Sequence, residues 1–327
     1  MAARCSVITG EEFTHHDLGW HEENSRRLLD AIAHIPSSLR RHHPEQASFE
    51  DLARVHEPRH IRTIEELCSY GGRRYLDMDT YVTEESFRVA TLAAGSSIAA
   101  VRRALSGESC FALVRPPGHH AEPGRAMGFC LFNNAAVAAA WALERVDRVA
   151  IIDWDLHHGN GTQKIFYGSD RVLFCSIHQA NVFPWSGWID EVGEGRGMGF
   201  TLNAPLVAGG GIGDYYCIFS SVFCEALVHF DPDAVIISAG QDPLFDDPKG
   251  GMRLAPGDFG LLCSMVREAA GCPPALVLEG GYGPSLGKAV FSILDALQRD
   301  EPYPVPAGLR PRASTRRIAR LLRKVMV

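Results

Sequence analysis

Short apolar runs rich in β-branched residues alternate along this chain with longer segments of helical spacing. Each apolar run ends abruptly in Gly, Pro or a charged residue, and the runs cover residues 110–118, 148–155, 171–178, 233–240 and 274–281. The helical spacing covers residues 86–105, 133–146, 214–230 and 258–270. Nearly continuous apolar strands that alternate with helices predict a parallel sheet covered on both faces. We therefore expect an α/β protein with one central, mostly parallel sheet flanked by helices.

No internal repeat, low-complexity tract or Gly/Ser linker divides the 327 residues. The longest Gly-rich stretch, residues 191–214, is expected to form loops within one domain. We predict one domain over residues 1–300, followed by a basic C-terminal tail over residues 301–327. The whole chain therefore reads as one large domain with an appended tail.

The tail from residue 309 onward holds seven Arg and Lys residues and no acidic residue. Its apolar residues recur at helical spacing, which predicts an amphipathic basic helix. These residues are Ile318, Leu321, Leu322 and Val325. We favour packing of this helix on its own domain or on a sister subunit, and contact with a membrane or nucleic acid is the alternative. A homo-oligomer is therefore left open.

The composition excludes several classes of protein. The net charge of −7 argues against a protein that mainly grips nucleic acid, so we expect no direct nucleic-acid binding. The nine Cys residues form no CxxC pair, which favours buried reduced thiols over disulfides or a Cys-bound metal. The first residues, MAARCSVITGEEFTHHD, lack the apolar core of a secretory signal, and no run reaches the roughly 20 apolar residues of a membrane span. We expect a cytoplasmic protein.

Titratable side chains follow the ends of several predicted strands. In open parallel sheets, ligands bind outside the carboxyl ends of the strands. The second apolar run ends in DWDLHHGNG, and the other runs end in RPPGHH, SAGQD and EGGYG. These ends carry His119, His120, Asp153, Asp155, His157, His158, Asp242 and Tyr282. We expect their side chains to meet at one edge of the sheet.

Asp155 and His157 are two positions apart, and in an extended segment such residues point to the same side. With Asp242 they would form a three-ligand site with an open position for water, which is the form of a catalytic zinc site. Mixed oxygen and nitrogen ligands also suit Fe(II), Co(II) or Mn(II). The alternative is helix capping, but a cap needs one such residue, and residues 153–160 hold five Asp, His or Asn residues.

A metal-activated water needs a base and a donor for the developing oxyanion. His119 and His120 are adjacent at a strand end, which suits the base, although a lone His is more often a satisfied core residue. Tyr282 lies between glycines, which let the backbone approach a site closely. A plain loop tyrosine is the alternative for Tyr282.

Five stretches of the chain together resemble the histone deacetylase superfamily, in particular its class II-like bacterial members. The stretches are RPPGHHAEPGRAMGFCLFNNAAVAA, IIDWDLHHGNGTQKIFY, VLFCSIHQ, ISAGQDPLFDDPKGGMRL and VLEGGYG. The opening segment HHDLGWHEENSRRL also resembles the family, and the likeness runs from about residue 7 to 298. The family includes acetylpolyamine amidohydrolases and shares its fold with arginases. The resemblance implies an arginase/deacetylase-like fold and the removal of acetyl or other acyl groups from acyl-lysine or small acylated amines.

The resemblance also implies roles for the residues at the strand ends. One Zn²⁺ per chain would be held by Asp155, His157 and Asp242. His120 would act as general base and then general acid, while His119 stays largely protonated. Tyr282 would polarise the scissile carbonyl. Two further residues, Asp153 and Asn160, would orient the first and second histidine of the pair.

The resemblance implies a narrow acyl-lysine tunnel and structural potassium. Phe129 and Phe183 would line the tunnel, and the Gly128 carbonyl would lie near the leaving amine. One potassium ion would lie beside the zinc, at Asp153 and Ser176. A second, more distant one would lie at Phe166, Ser169 and Val172.

Two positions depart from the family pattern. Gln241 stands where Phe is common, and we expect a local packing change without loss of metal. Lys249 resembles a rim position that is often Leu in lysine deacetylases and Glu in the polyamine-selective branch. A Lys ammonium there would repel cationic acetylpolyamines and favour substrates with a nearby carboxylate. The alternative is that Lys249 points into solvent.

Two other classes of function stay open. One is a small-molecule C–N hydrolase, either an acetylpolyamine hydrolase or an arginase-like enzyme with two metals. The tandem HH and the GGY segment argue against the arginase-like form. The other is a catalytically silent binding module, against which the intact set of site residues argues.

Overall fold

A computed structural model describes residues 5–326 of the chain. Residues 1–4 of the predicted domain and Val327 at the end of the tail lie outside the described residues. The strands are β1 (Cys5–Ile8), β2 (Arg40–His42), β3 (Arg74–Tyr75), β4 (Tyr81–Val82), β5 (Ser109–Ala112), β6 (Val149–Asp153), β7 (Val172–Gln179), β8 (Thr201–Leu206), β9 (Ala234–Ala239) and β10 (Ala275–Leu278).

The helices alternate with these strands over most of the chain. They are α1 (Ser25–Ala33), α2 (Phe49–Ala53), α3 (Pro58–Ser69), α4 (Ser86–Leu105), α5 (Asn134–Ala142), α6 (Asn160–Phe166), α7 (Ile212–Ile218), α8 (Cys224–Phe230), α9 (Pro256–Ala270), α10 (Leu286–Gln298) and α11 (Ala313–Leu322). A π-helical turn, Phe219–Phe223, joins α7 to α8, so the helix predicted at 214–230 is continuous but is locally widened, with i→i+5 hydrogen bonds in place of i→i+4.

Eight strands form one parallel sheet in the order β2-β1-β5-β10-β9-β6-β7-β8. The short strands β3 and β4 pair separately as an antiparallel hairpin. Strands β5, β6, β9 and β10 are buried at every residue, because helices cover both faces of a parallel sheet. This confirms the predicted α/β fold with a central parallel sheet.

The helices that pack nearest the sheet are rich in small residues. Helix α4 contacts β5, β9 and β10 and also packs on α5. Both helices bury several alanines, whose small side chains allow close approach of the helix backbones to the sheet. Helices α9 and α10 pack closely against each other.

The expectation that residues 191–214 form only loops is wrong. Thr201–Leu206 forms β8, the last strand of the sheet, which pairs with β7. Pro205 lies within this strand, and proline is tolerated there because an edge strand leaves one side of its backbone without a ladder partner. The flanking glycines hid a strand that forms by pairing with β7.

The C-terminal helix α11 packs against β8 and α7. Its buried face consists of Thr315, Ala319 and Leu322. The Thr315 hydroxyl donates to the Asp214 carboxylate at 2.6 Å, which ties the tail to the start of α7. Leu321 is 39% exposed, so the buried apolar face is narrower than the sequence spacing indicates. Among residues 5–326, no helix combines the length and apolar character needed to cross a membrane.

Candidate metal centre and active site

Three neighbouring strands deliver the candidate site. Strands β10, β9 and β6 are adjacent in the sheet and parallel, so the loops after them leave the same edge. Asp155 and His157 follow β6, Asp242 follows β9, and Tyr282 follows β10. These residues lie far apart in the sequence, and the order of the strands in the sheet brings them together.

Asp155, His157 and Asp242 form a cluster whose ligand atoms all lie within 4.8 Å of one another. His157 Nδ1 lies 3.2 Å from Asp155 Oδ1 and 2.9 Å from Asp242 Oδ2. Both carboxylates are fully buried. Asp155 and His157 lie beyond the last residue of β6, in a bend rather than in the strand. Their imidazole and carboxylate nevertheless face the same point.

The backbone holds the outer oxygens of the two carboxylates. Gly280 N donates to Asp155 Oδ2 at 2.8 Å, and Leu156 N donates to Asp242 Oδ1 at 2.9 Å. A Cβ at Gly280 would lie 2.6 Å from Asp242 Oδ2, so only glycine permits this approach. Gly280 of the EGG segment therefore allows the Asp155 and Asp242 carboxylates to pack closely against the backbone.

The cluster fits a divalent cation. Asp242 Oδ2 is buried and has no hydrogen-bond partner among the described residues, although an imidazole nitrogen lies beside it. Burial and the neighbouring Asp155 raise the pKa of Asp242 to about 7. A buried carboxylate in this position needs a positive charge to stay ionised. Two carboxylates and one imidazole are a mixed oxygen and nitrogen donor set that suits a divalent metal ion.

The two adjacent histidines have opposite electrostatic surroundings. His119 Nδ1 lies 3.0 Å from Asp153 Oδ2, and His120 Nδ1 lies 2.8 Å from Asn160 Oδ1. Burial by itself would lower the pKa of His119, but Asp155 and Asp153 outweigh it and hold that pKa well above its usual value. Burial and the neighbouring His119 hold the pKa of His120 well below its usual value. His119 is therefore suited to stay protonated, and His120 to stay neutral.

Sequence reasoning missed Glu279, which lies directly after β10. Its side chain is buried, and it accepts hydrogen bonds from the backbone N–H groups of Gly118 and His119 at 2.6 and 3.1 Å. Burial raises its pKa to about 7. The carboxylate thus fixes the turn that carries the histidine pair. The sequence signal that could have identified Glu279 is a single Glu at the end of the apolar run PALVLEGG.

Tyr282 is held by residues that sequence reasoning did not single out. Asp247 Oδ2 accepts hydrogen bonds from the N–H groups of Tyr282 and Gly283 at 2.6 and 2.8 Å. The Arg27 guanidinium lies 4.4 Å from the centre of the Tyr282 ring. Arg27 also donates to the Glu279 and Gly281 carbonyls on the same loop. The phenol is therefore fixed at the cavity from two sides.

Arg27 belongs to a buried charge network. Glu23 accepts from Arg27 at 2.9 Å and from the fully buried Arg115 at 2.7 Å. Burial alone would raise the pKa of Glu23, but Arg115 and Arg27 outweigh it and lower that pKa to about 2. The network couples the start of α1 to the strand that leads to the histidine pair.

The cluster lies in a cavity of about 250 Å³. Phe129 and Phe183 line it together with the metal-ligand candidates, the histidine pair and Tyr282. Gly128 and Phe129 both have positive φ, 56° and 69°, and this left-handed turn brings the Phe129 ring to the cavity wall. A Cβ at Gly128 would lie 2.6 Å from the His120 ring. Asp79 and Val182 also line the cavity and were missed from the sequence.

Lys249 lines the cavity and does not point freely into solvent. Its Nζ lies 5.4 Å from the centre of the Phe129 ring and forms an ion pair with Glu22. Burial lowers the pKa of Lys249. Glu22 is a partner that the sequence did not reveal, because it precedes α1 and lies more than two hundred residues away.

The residues of the two predicted potassium sites lie on β6 and β7 and at or just after the end of α6. Asp153 and Ser176 face each other across β6 and β7, and Ser176 Oγ lies 2.9 Å from His178 Nδ1. The Phe166 carbonyl accepts a hydrogen bond from Ser169 N at 2.9 Å. Val172 begins β7. Potassium binding stays a prediction from the family resemblance.

Gln241, the departure from the family pattern, is fully buried. Its Nε2 donates to the Ala239 carbonyl at 2.8 Å, and its Oε1 has no partner among the described residues. Its Cβ is the atom that a Cβ at Gly281 would meet, so it packs against the loop that carries Tyr282.

The fold and the gathered residues define a single-domain α/β protein whose cavity has the residues of a metal-dependent hydrolase. Residues 21–297 match the family model described as histone deacetylase domain. The chain therefore belongs to the histone deacetylase family, as the sequence motifs predicted.

Individual relatives agree with this assignment. A "histone deacetylase-like amidohydrolase" of Pseudomonas aeruginosa is 40% identical over 292 residues, which cover 84% of this chain and 76% of the relative. A "probable deacetylase" of Methanothermobacter thermautotrophicus is 38% identical over 310 residues, which cover 92% of this chain and 93% of the relative. The crystal structure of the HD domain of HDA15 superposes with a TM-score of 0.92 at 32% identity, covering 99% of this chain and 94% of that one.

Proposed function

We propose that this protein is a zinc-dependent amidohydrolase that removes acetyl or other acyl groups from acylated amines. The observation that carries the proposal is the cluster of Asp155, His157 and Asp242 beside the His119–His120 pair and Tyr282 in one narrow cavity. Relatives named deacetylase and amidohydrolase support the reaction type.

Asp155, His157 and Asp242 would hold the metal. A bound zinc ion supplies Lewis-acid polarisation of the amide carbonyl and lowers the pKa of its water to about 7. The same oxygen and nitrogen donors suit other divalent metals, so the choice of zinc rests on the open three-ligand form and the family.

His120 is the general base in this proposal. Its low pKa keeps the imidazole neutral, and Asn160 holds its Nδ1, which leaves Nε2 free to accept a proton from the attacking water. The proton gained there is then donated to the departing amine nitrogen. His119, held protonated between Asp153 and Asp155, stabilises negative charge that develops beside it.

Tyr282 donates a hydrogen bond to the oxyanion of the tetrahedral intermediate. Burial holds the pKa of the Tyr282 phenol well above its usual value, so the hydroxyl keeps its proton at neutral pH. Arg27 and Asp247 fix the ring and the backbone of this residue, and such preorganised donors stabilise the transition state without reorganisation.

The surroundings of the cavity favour an acyl-lysine side chain on a peptide over a free small amine. Phe129 and Phe183 form a channel wall suited to an alkyl chain. Trp185, whose ring stacks edge-on against Phe183, is 68% exposed. Trp20 is 66% exposed and packs edge-on against His21, which in turn packs edge-on against Phe129. Exposed aromatic side chains near a cavity are typical of surfaces that bind larger partners.

Lys249 would tune this choice of substrate. Its ammonium near the cavity disfavours cationic acetylpolyamines and favours substrates with a carboxylate near the scissile amide. The ion pair with Glu22 reduces this effect, so we expect a modest preference rather than strict exclusion. Potassium, as a structural ion at Asp153 and Ser176, is proposed on the family resemblance alone.

A screen of purified, zinc-loaded protein tests the proposal. We expect hydrolysis of acetyl-lysine peptides or of longer and acidic acyl-lysines, with weaker turnover of acetylpolyamines. No hydrolysis of any of these substrates by protein that holds one zinc per chain would support a binding module instead. About two metals per chain would support the arginase-like alternative.

A further inference from the structure

The Asn160 side chain lies between His120 and Glu122 at the start of α6. Asn160 Oδ1 is 2.8 Å from His120 Nδ1, and Asn160 Nδ2 is 3.2 Å from Glu122 Oε1. The other neighbours of Nδ2, the His120 carbonyl at 3.4 Å and Met127 Sδ at 3.5 Å, are also acceptors. Every contact of the amide nitrogen is therefore with a group that cannot donate.

We infer that Glu122 is a positioning residue that sets the tautomer of His120 through the Asn160 amide. An ionised carboxylate only accepts hydrogen bonds, so Glu122 requires the NH₂ end of Asn160 to face it. The carbonyl end must then face His120, and His120 Nδ1 must donate to it. The imidazole proton is thereby held on Nδ1, and Nε2 is left as the proton acceptor. The consequence for catalysis rests on the proposed function.

Glu122 is itself held in place. Its side chain is 20% exposed, and Lys164 Nζ donates to Oε2 at 2.7 Å, which leaves Oε1 for Asn160. The Glu122 backbone N–H donates to the Arg125 carbonyl at 2.9 Å, and the Glu122 carbonyl lies 3.1 Å from His56 Nδ1. Glu122 follows the histidine pair by two residues, so the same loop carries the base and the carboxylate that orients its partner.

Asn160 and Glu122 form a matched pair in this arrangement. An Asn160→Asp carboxylate would accept from His120 whichever way it turned, so it would need no orienting neighbour. It would also face the Glu122 carboxylate directly, and like charges so close repel. A Glu122→Gln amide would remove that repulsion and could donate. The effect of Glu122→Gln should therefore change sign with the residue at position 160.

Steady-state kinetics of four zinc-loaded proteins test this sign change: wild type, Glu122→Gln, Asn160→Asp and the double variant. In the wild-type background we expect Glu122→Gln to lower kcat about 10-fold with KM unchanged, because part of the general-base contribution is lost. In the Asn160→Asp background we expect the same substitution to raise kcat. Glu194→Gln is the matched control, since Glu194 is an exposed carboxylate that lines the same surface pocket as Asn160 and makes no hydrogen bond to it. A fall in kcat in both backgrounds, or an equal fall in Glu194→Gln, would overturn the inference.

A spectroscopic readout separates this inference from the proposed activity. In metal-free protein labelled with ¹⁵N-histidine, long-range ¹H–¹⁵N spectra distinguish a proton on Nδ1 from one on Nε2. The signal missing in His120→Asn assigns His120. We expect the Nδ1–H form in wild type and a mixture of the two tautomers in Glu122→Gln. An unchanged Nδ1–H tautomer in Glu122→Gln would refute the positioning role even if the enzyme is active.

Discussion

Lys249 and Glu22 form an ion pair at the cavity that holds the candidate metal ligands. Lys249 comes from the loop after β9, and Glu22 comes from the segment before α1. The pair leaves the ammonium close to the Phe129 ring, where a substrate would pass. We therefore expect its charge to act on substrates, although the Glu22 carboxylate partly balances it.

Reversing the charge at position 249 should change substrate preference. We expect Lys249→Glu to raise kcat/KM for acetylpolyamines about 10-fold relative to a neutral acetyl-lysine peptide, because repulsion of like charges 6–7 Å apart is about 2–3 kcal/mol at a dielectric of about 20 before screening. The gain should shrink as salt rises. Lys288→Glu, at an exposed position on α10, is the control. An unchanged ratio at low salt, or a wild-type preference for polyamines, would remove Lys249 from specificity.

Removing the Tyr282 hydroxyl should separate turnover from metal binding. We expect Tyr282→Phe to keep its zinc and to lose about 10²–10³ in kcat, since an oxyanion donor is typically worth that much. Metal analysis and kinetics of the same preparation measure both quantities. Activity equal to that of wild type would mean that another group stabilises the oxyanion.

Removing Asp242 should instead abolish metal binding. Asp242→Ala eliminates one of the three candidate ligands, and the two that are left do not complete a catalytic site. We expect little zinc after purification and dialysis, whereas Asp190→Ala, which removes an exposed carboxylate, should keep full occupancy. Full occupancy in Asp242→Ala would show that the third ligand is misassigned.

Glu23 should make the stability of the fold depend on acid pH. Arg115 and Arg27 lower its pKa from the ordinary value of 4.5 to about 2 in the folded protein, despite burial. A depressed pKa contributes stability that is present above 4.5 and is lost as the pH falls toward 2.

Glu23→Gln isolates this contribution. We expect it to lower the free energy of unfolding by about 3–5 kcal/mol at neutral pH, because two arginines lose their buried partner. Denaturant unfolding of both proteins between pH 6 and 3 measures the difference. The difference should shrink toward low pH, and a difference independent of pH would contradict the assigned ionisation.

An apolar substitution at Gln241 should raise the free energy of unfolding. Its buried Oε1 has no donor within residues 5–326, and the Ala239 carbonyl that accepts from its Nε2 also accepts from Glu279 N. We expect Gln241→Leu to raise the free energy of unfolding by about 1 kcal/mol, because an unsatisfied polar group is replaced by an apolar one. Thermal unfolding measures the change, and zinc content should stay the same. A lower melting temperature would mean that the amide is satisfied in solution.

Much of the fold and of the candidate site follows from local sequence. Apolar runs such as RVAII are too continuous for a half-exposed strand, and their alternation with helical segments requires a covered parallel sheet. The concentration of Asp and His in DWDLHHGNG exceeds what helix capping needs, so the sequence alone indicates a metal site. These signals are local in the chain, and short windows of sequence carry them.

Contacts between distant segments were decided only by the tertiary structure. Strand β8 forms because β7 offers it a partner, although its own residues read as a loop. Glu22 meets Lys249, and Arg27 meets Tyr282, because the sheet order brings the first and last thirds of the chain to one edge. The folded surroundings then set the charges: burial acts to lower the pKa of both adjacent histidines, but the carboxylates of Asp155 and Asp153 raise that of His119, whereas the pKa of His120 falls. Sequence thus determines which groups the chain can offer, whereas packing determines which of them meet and in which protonation state.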